Sequence, residues 1–225
     1  MPEHRDSGPD VPGPDVPVIH AVTDDTTVTR ANFPERALGV MRSLGARGAV
    51  HLRARIVPAA TLYAIAVALA EAQRETGCWL VLNDRVDIAL AAGARGVQLT
   101  SRSMHVRDAR AIAPALAVGA SIHSAEEARD AEQAGATWMV AGHIFETSSH
   151  PGAAGRGELF VQAIAAAARL PCIVIGGVRP ANVASLRAMG AYGVAAITGI
   201  WGAADAERAA TDYLSAYDDN GGAHA

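Results

Sequence analysis

The sequence predicts a single (β/α)8 TIM barrel, and three observations carry that expectation. A short apolar run, a polar loop and an alanine-rich segment of helical period recur to the end of the chain. Eight such apolar runs can be marked, at 18–22, 49–53, 79–83, 96–99, 117–121, 138–141, 172–176 and 193–197. Related phrases (AGARG at 92–96, AGA at 134–136, MGAYG at 189–193) return where a helix should hand over to the next strand, as stacked equivalent units require. Helices are expected at 59–74, 125–134 and 180–189 among others, with Pro180 suited to a first helical turn. Eight units in about 200 residues sits at the short end of the range for such barrels. An open doubly wound sheet would need a glycine-rich phosphate turn after its first strand, where this chain reads Thr23-Asp24-Asp25-Thr26.

The 225 residues, 50% hydrophobic and 19% charged, suit one globular domain with a large aliphatic core. The expected division is a flexible N-terminal tail at 1–17, rich in proline, a barrel domain at 18–216 and a flexible C-terminal tail at 217–225. A net charge of −4 gives no general attraction to nucleic acid or to an anionic membrane, so neither is an expected partner. Cys78 and Cys172 form no metal-ligand or redox spacing and read as buried free thiols. With no apolar run near the ~18–20 residues of a membrane span and no secretory pattern, a cytoplasmic protein is expected. The alanine-rich exterior suits a monomer or a homo-oligomer alike.

A barrel places its chemistry at the carboxyl ends of its strands. Strand one brings Thr23, Asp24 and Asp25 there, strand two His51, Arg53 and Arg55, strand three Asn83 and Asp84, and strand four Gln98, Thr100 and Ser101. Strand five brings Ser121 and His123, and strand six empties into AGHIFETSSHPGAAGRG at 141–157, too polar for core and longer than the ~2–6 residues usual in such units. A lone strand-end histidine is more often structural than catalytic; His143 stands above that because of its loop, whereas His51 and His123 read as wall. Of Arg53 and Arg55 at this strand end, at most one is expected to face the mouth, the other being a surface charge. Asn83 and Asp84 serve equally well as caps of the following helix. The last two strands end in Gly176-Gly177 and Ile197-Thr198-Gly199, where barrels commonly hold a phosphate on backbone amides.

These residues resemble the thiamine phosphate synthase/TenI superfamily across about 18–213, through HAVTD at 20–24, HLR at 51–53, LNDRVDIA at 82–89, GVQL at 96–99, SIHS at 121–124, VIGGV at 174–178 and ITGI at 197–200. GHIFET at 142–147 with GRG at 155–157 is similar to the TenI branch, the thiazole tautomerases. The resemblance implies metal-independent aromatisation of an ylidene carboxythiazole phosphate, an isomerisation that needs no cofactor and no metal, with His143 as general acid and base. Gly177, Ile197 and Thr198 would anchor the phosphate and Arg53 the carboxylate, with Asn83, Ser121 and Thr147 as further substrate contacts. The alternatives are a thiamine phosphate synthase, which joins hydroxymethylpyrimidine diphosphate to thiazole phosphate with Mg2+, or a non-catalytic thiazole or thiamine phosphate-binding protein. Against the synthase stand Ser103, where the family pattern has a second metal-binding aspartate, and Arg55 and His150 in place of lysines. The isomerase is therefore the leading expectation.

Overall fold

Residues 16–147, 152 and 154–219 are described by a computed structural model. Eight parallel strands, β1 (Ile19–Val22), β2 (Gly48–Leu52), β3 (Trp79–Asn83), β4 (Gly96–Leu99), β5 (Ala117–Ile122), β6 (Trp138–Gly142), β7 (Cys172–Ile175) and β8 (Gly193–Ala196), pair in chain order, and β8 closes onto β1. The expected barrel is the observed fold, with strand limits that differ from the apolar runs by no more than one residue at either end.

Helices cover the outside: α1 (Asp25–Val28), α2 (Phe33–Leu44), α3 (Ala59–Thr76), α4 (Val86–Ala92), α5 (Val106–Ile112), α6 (Ala125–Gln133), α7 (Glu158–Ala167), α8 (Val183–Ala188), α9 (Thr198–Trp201) and α10 (Ala206–Asp218). Helical spacing selects the buried faces, as in α2, where Phe33, Ala37, Val40, Met41 and Leu44 turn inward. Local chemistry sets the ends: the Ser124 hydroxyl accepts from the Glu127 amide ahead of α6, and Gly77 stops α3 in the left-handed region. The segment expected as one helix at 180–189 divides into a 3-10 turn, Pro180–Asn182, and α8; around the turn the Arg179 amide donates to Asn182 Oδ1 at 2.8 Å and the Asn182 amide to the Arg179 carbonyl at 3.0 Å. Val16 and Pro17, expected in the N-terminal tail, are buried under the barrel, and α10 runs two residues past the expected boundary at 216. The rest of the expected tails, 1–15 and 220–225, and residues 148–151 and 153 of the loop lie outside the described residues. No helix among the described residues is long and apolar enough to cross a membrane. Cys78 and Cys172 are free and buried, and burial pushes both thiols up to about 12.

Strands buried on both faces alternate between two cores. Ile19, Val50, Leu80, Leu82, Val97, Met139 and Val174 face the helices, whereas Val22, Ala49, Trp79, Val81, Trp138, Ile173 and Ala195 fill the barrel interior. Several polar groups inside the barrel are paired, whereas Asn83 Oδ1 is buried without a hydrogen-bond partner among the described residues. His20 Nδ1 meets His51 Nε2 at 2.7 Å while His20 Nε2 meets the Pro17 carbonyl at 2.8 Å. Trp138 donates its indole N–H to Gln98 Oε1 at 2.8 Å. Gly119 makes room for that contact, since a Cβ there would stand 2.2 Å from Trp138 Cε2 and 2.3 Å from Gln98 Oε1.

Burial pushes the His20 imidazole down to about 4, and holds His51 well below the usual imidazole range with His20 adding to the effect. Both rings are therefore neutral in the folded protein near pH 7. Because the unfolded chain takes up protons near pH 6.5 and folded His20 only near 4, this stability is present above about 6.5 and lost as pH falls toward 4. Urea unfolding should show stability dropping between pH 7 and pH 5 by about 2 kcal/mol on account of His20 alone. The His20→Gln variant should show a correspondingly flatter pH profile.

Candidate active site

A cavity of about 440 Å3 opens at the carboxyl ends of β5 to β8. Its wall comprises Ser121 of β5 and His123 just after it, Val140 and Gly142 of β6, His143, Thr147 and Arg156 of the following loop, Ile175 to Val178 at the end of β7, and Ala195 to Gly199 at the end of β8. Of the residues expected to contact substrate, Ser121, His143, Thr147, Gly177, Ile197 and Thr198 meet in this one cavity. Arg53 and Asn83 do not line it. They stand at the ends of β2 and β3, across the mouth.

The loop after β6 is built as an extension of β7. The Ile144 and Phe145 amides donate to the carbonyls of Ile175 and Gly176, each at 2.9 Å, and the returning Arg156 and Gly157 amides donate to His143 and Ile144. Gly176 and Gly177 have φ of 101° and 67°, and a Cβ on Gly176 would lie 2.4 Å from the His143 Cβ. These two glycines therefore serve both backbone conformation and close approach. Arg156 stacks its guanidinium over Phe160 and donates to the His123 carbonyl at 2.7 Å, tying the loop to the end of β5. The Gly142–His143 peptide is cis. Opposite, Ile197 leads into α9, and first-turn amides at a helix start have no partner within the helix.

The other half of the mouth is charged. Asp84 is exposed, has φ 63°, and accepts on Oδ1 the hydroxyls of Thr100, at 2.9 Å, and of Ser103. Ser103 also accepts from the Thr100 amide at 2.8 Å, so the three residues form one cluster. Arg53 is half-buried; burial lowers its guanidinium and Arg55 adds to this, while Asp84, Asp25 and Asp24 act the other way. It stays charged at neutral pH regardless. Asp24 and Asp25, expected at the mouth, hold backbone. Asp24 caps α1 by accepting from the Thr27 amide and hydroxyl, and Asp25 Oδ1 accepts from the Arg55 and Ile56 amides at 2.6 and 2.9 Å. The hydrogen bond from Ile56 is the largest of the influences that hold the Asp25 carboxyl below the usual carboxylate range. Among the described residues no group of three or more His, Cys, Asp or Glu side chains could hold a metal ion.

His123, expected as a wall residue, does line the cavity, and so does Arg156, which the sequence reading gave no role of its own. Arg156 stood in the quoted glycine-rich stretch, but its contact with the end of β5 depends on a return of the chain that spacing does not reveal.

A family model described as thiamine monophosphate synthase matches residues 19–200. The thiamine-phosphate synthase of Pyrococcus horikoshii is 34% identical over 191 residues, spanning 85% of this chain and 90% of its own. That of Methanoculleus marisnigri is 36% identical over 194 residues, 85% of this chain and 91% of its own. A solved thiamine phosphate pyrophosphorylase from Pyrococcus furiosus, 30% identical, superposes with a TM-score of 0.78 over 90% of this chain and 96% of its own. These findings overturn the expectation of an isomerase, a TenI-type thiazole tautomerase: the relatives are named as synthases, which are transferases. That expectation gave most weight to one loop and counted Ser103 only as a lost carboxylate. In the fold Ser103 joins Asp84 and Thr100 in an intact polar cluster.

The packing of the β7 turn against the β6 loop yields a direct test. Gly176→Ala should force His143 aside and cost about 1–3 kcal/mol, which thermal unfolding should register as a fall in Tm of about 2–4 °C per kcal/mol for a domain of this size.

Proposed function

The chain belongs to the thiamine monophosphate synthase family, and from that premise we propose that it is a thiamine-phosphate synthase, a transferase that joins a pyrimidine diphosphate to a thiazole phosphate and releases diphosphate. The observation that carries this reading is the division of the mouth into two unlike halves, a glycine-walled and largely apolar cavity over β5 to β8 and a charged rim over β2 to β4, where Arg53 lies within electrostatic reach of the Asp84 carboxylate. A joining reaction needs two such subsites side by side, one for each substrate.

In this reading the thiazole phosphate occupies the cavity. Its phosphate lies against the backbone at Gly177, Ile197 and Thr198, where glycine allows close approach and amides face the anion. The pyrimidine diphosphate lies across the mouth, with the half-buried Arg53 facing its diphosphate. The Asp84 cluster fits Mg2+ in the form that arrives with a diphosphate, since that ion is commonly held by one or two carboxylates together with substrate phosphates. Mg2+ bound there by Asp84 would offset the charge that gathers on the departing diphosphate. The protein's own part is to orient. Thr100 and Ser103 hold the Asp84 carboxylate in one rotamer, Arg53 keeps its positive charge beside it, and the two subsites bring nucleophile and electrophile together as neighbours. The bond formed joins the thiazole nitrogen to the pyrimidine methylene, and the bond broken is that methylene's bond to the diphosphate oxygen.

Incubation of the full chain with both substrates and Mg2+ should yield thiamine phosphate and diphosphate in equal amounts. Its absence at saturating substrate would sink the reading. Asp84→Ala and Arg53→Met should each lower kcat/KM by roughly 10²-fold, as loss of an electrostatic contact to a departing anion does. Gly177→Val places a side chain where even a Cβ would stand 2.6 Å from the Glu146 carbonyl. It should raise the KM for thiazole phosphate by about tenfold or more while leaving that for the pyrimidine diphosphate nearly unchanged.

A further inference from the structure

One line of hydrogen bonds runs from the barrel interior to the cavity, and its direction can be read atom by atom. It starts at Trp138, fully buried, whose indole N–H can only donate. That N–H meets Gln98 Oε1 at 2.8 Å, so the amide oxygen of Gln98 faces the indole and its NH2 faces away. Turning the amide over would set N–H against N–H in a dry interior, the costly case for a buried donor. The NH2 then donates to Ser121 Oγ at 3.0 Å and toward the Leu99 carbonyl at 3.4 Å. Ser121 carries one hydroxyl hydrogen. Its oxygen is taken as an acceptor by Gln98, and a donating nitrogen offers no lone pair in return. Among the described residues Oγ makes no other hydrogen bond, and Ser121 lines the cavity.

We propose that Trp138 and Gln98 are positioning residues that fix the polarity of Ser121, so that its hydroxyl enters the cavity as a donor to an acceptor on the bound ligand. The fit of Gly119 under this line supports a built arrangement, since any side chain there would strike both Trp138 and Gln98. A ligand acceptor at Ser121 completes a chain in which each hydrogen bond polarises the next, so occupancy of the cavity is felt at the indole. The identity of the acceptor, a thiazole phosphate atom, rests on the synthase reading. The polarity does not.

The test uses the full chain labelled with 15N at tryptophan, of which it has three, titrated with thiazole phosphate and separately with inorganic phosphate. Binding should shift the Trp138 indole N–H resonance in the wild type and leave it unmoved in Ser121→Ala, which should bind about tenfold more weakly. Gln98→Met should weaken binding severalfold in the wild type and add nothing in the Ser121→Ala background. Trp138→Phe, which leaves Gln98 in place but frees its amide to turn, gives the same cycle if Gln98→Met does not fold. Equal losses from Gln98→Met or Trp138→Phe in both backgrounds, full affinity in Ser121→Ala, or an indole silent to both probes would each overturn the proposal. Should inorganic phosphate give the shift and the coupling while thiazole phosphate does not bind, the polarity line stands and the synthase reading falls.

Discussion

Closure of the sheet is the constraint on which the rest of the structure depends. Once β8 pairs with β1 no strand has a free edge, and every inward side chain must fit inside a fixed ring of eight. That interior is narrow, so one large indole, Trp138, takes the space that Gly96 and Gly119 leave, and the polar atoms that enter with it find partners within the ring. The same closure brings all eight carboxyl ends to one rim, where residues distant in the chain become neighbours. Ser121 and Thr198, for example, line one cavity.

The rim uses its charges in two ways. Asp24 and Asp25 are spent on backbone amides, which shapes the loops after β1 and β2. Asp84, exposed and held by two hydroxyls, keeps its carboxylate at the mouth, with Arg53 near enough to feel it. On the opposite side the cavity carries few charged groups and relies on backbone, because two glycines at positive φ let the chain fold back against the β6 loop. In the proposed synthase reading the charged half takes the diphosphate and the backbone-lined half the smaller phosphate ester.

Fold class was legible because parallel strands buried on both faces leave unbroken apolar runs, and because helix stops repeat at each unit. The glycines of 176–177 and the loop at 142–147 were legible as parts of one site for the same reason: a barrel gives strand ends a common address. Other features needed three dimensions. Position 103 looks like a missing carboxylate in the sequence, yet its hydroxyl reaches Asp84 across the β3–β4 rim. Asp24 and Asp25 look like active-site acids, but their partners are amides nearby and on the neighbouring loop. His20 and His51 lie 31 residues apart, and only strand register makes them a pair. The preference for an isomerase came from one loop together with Ser103, Arg55 and His150 read as departures from the synthase pattern, while likeness over most of the chain pointed to synthases.

The central claim is that two ligands share the mouth at once. Isothermal titration of thiazole phosphate into the protein saturated with a non-hydrolysable pyrimidine diphosphate analogue and Mg2+ tests it most directly. Two subsites predict one thiazole phosphate bound per chain, with affinity equal to or tighter than that of the protein without the analogue. Mutual displacement, with heat falling to zero as the analogue saturates, would mean a single shared site and would contradict the account.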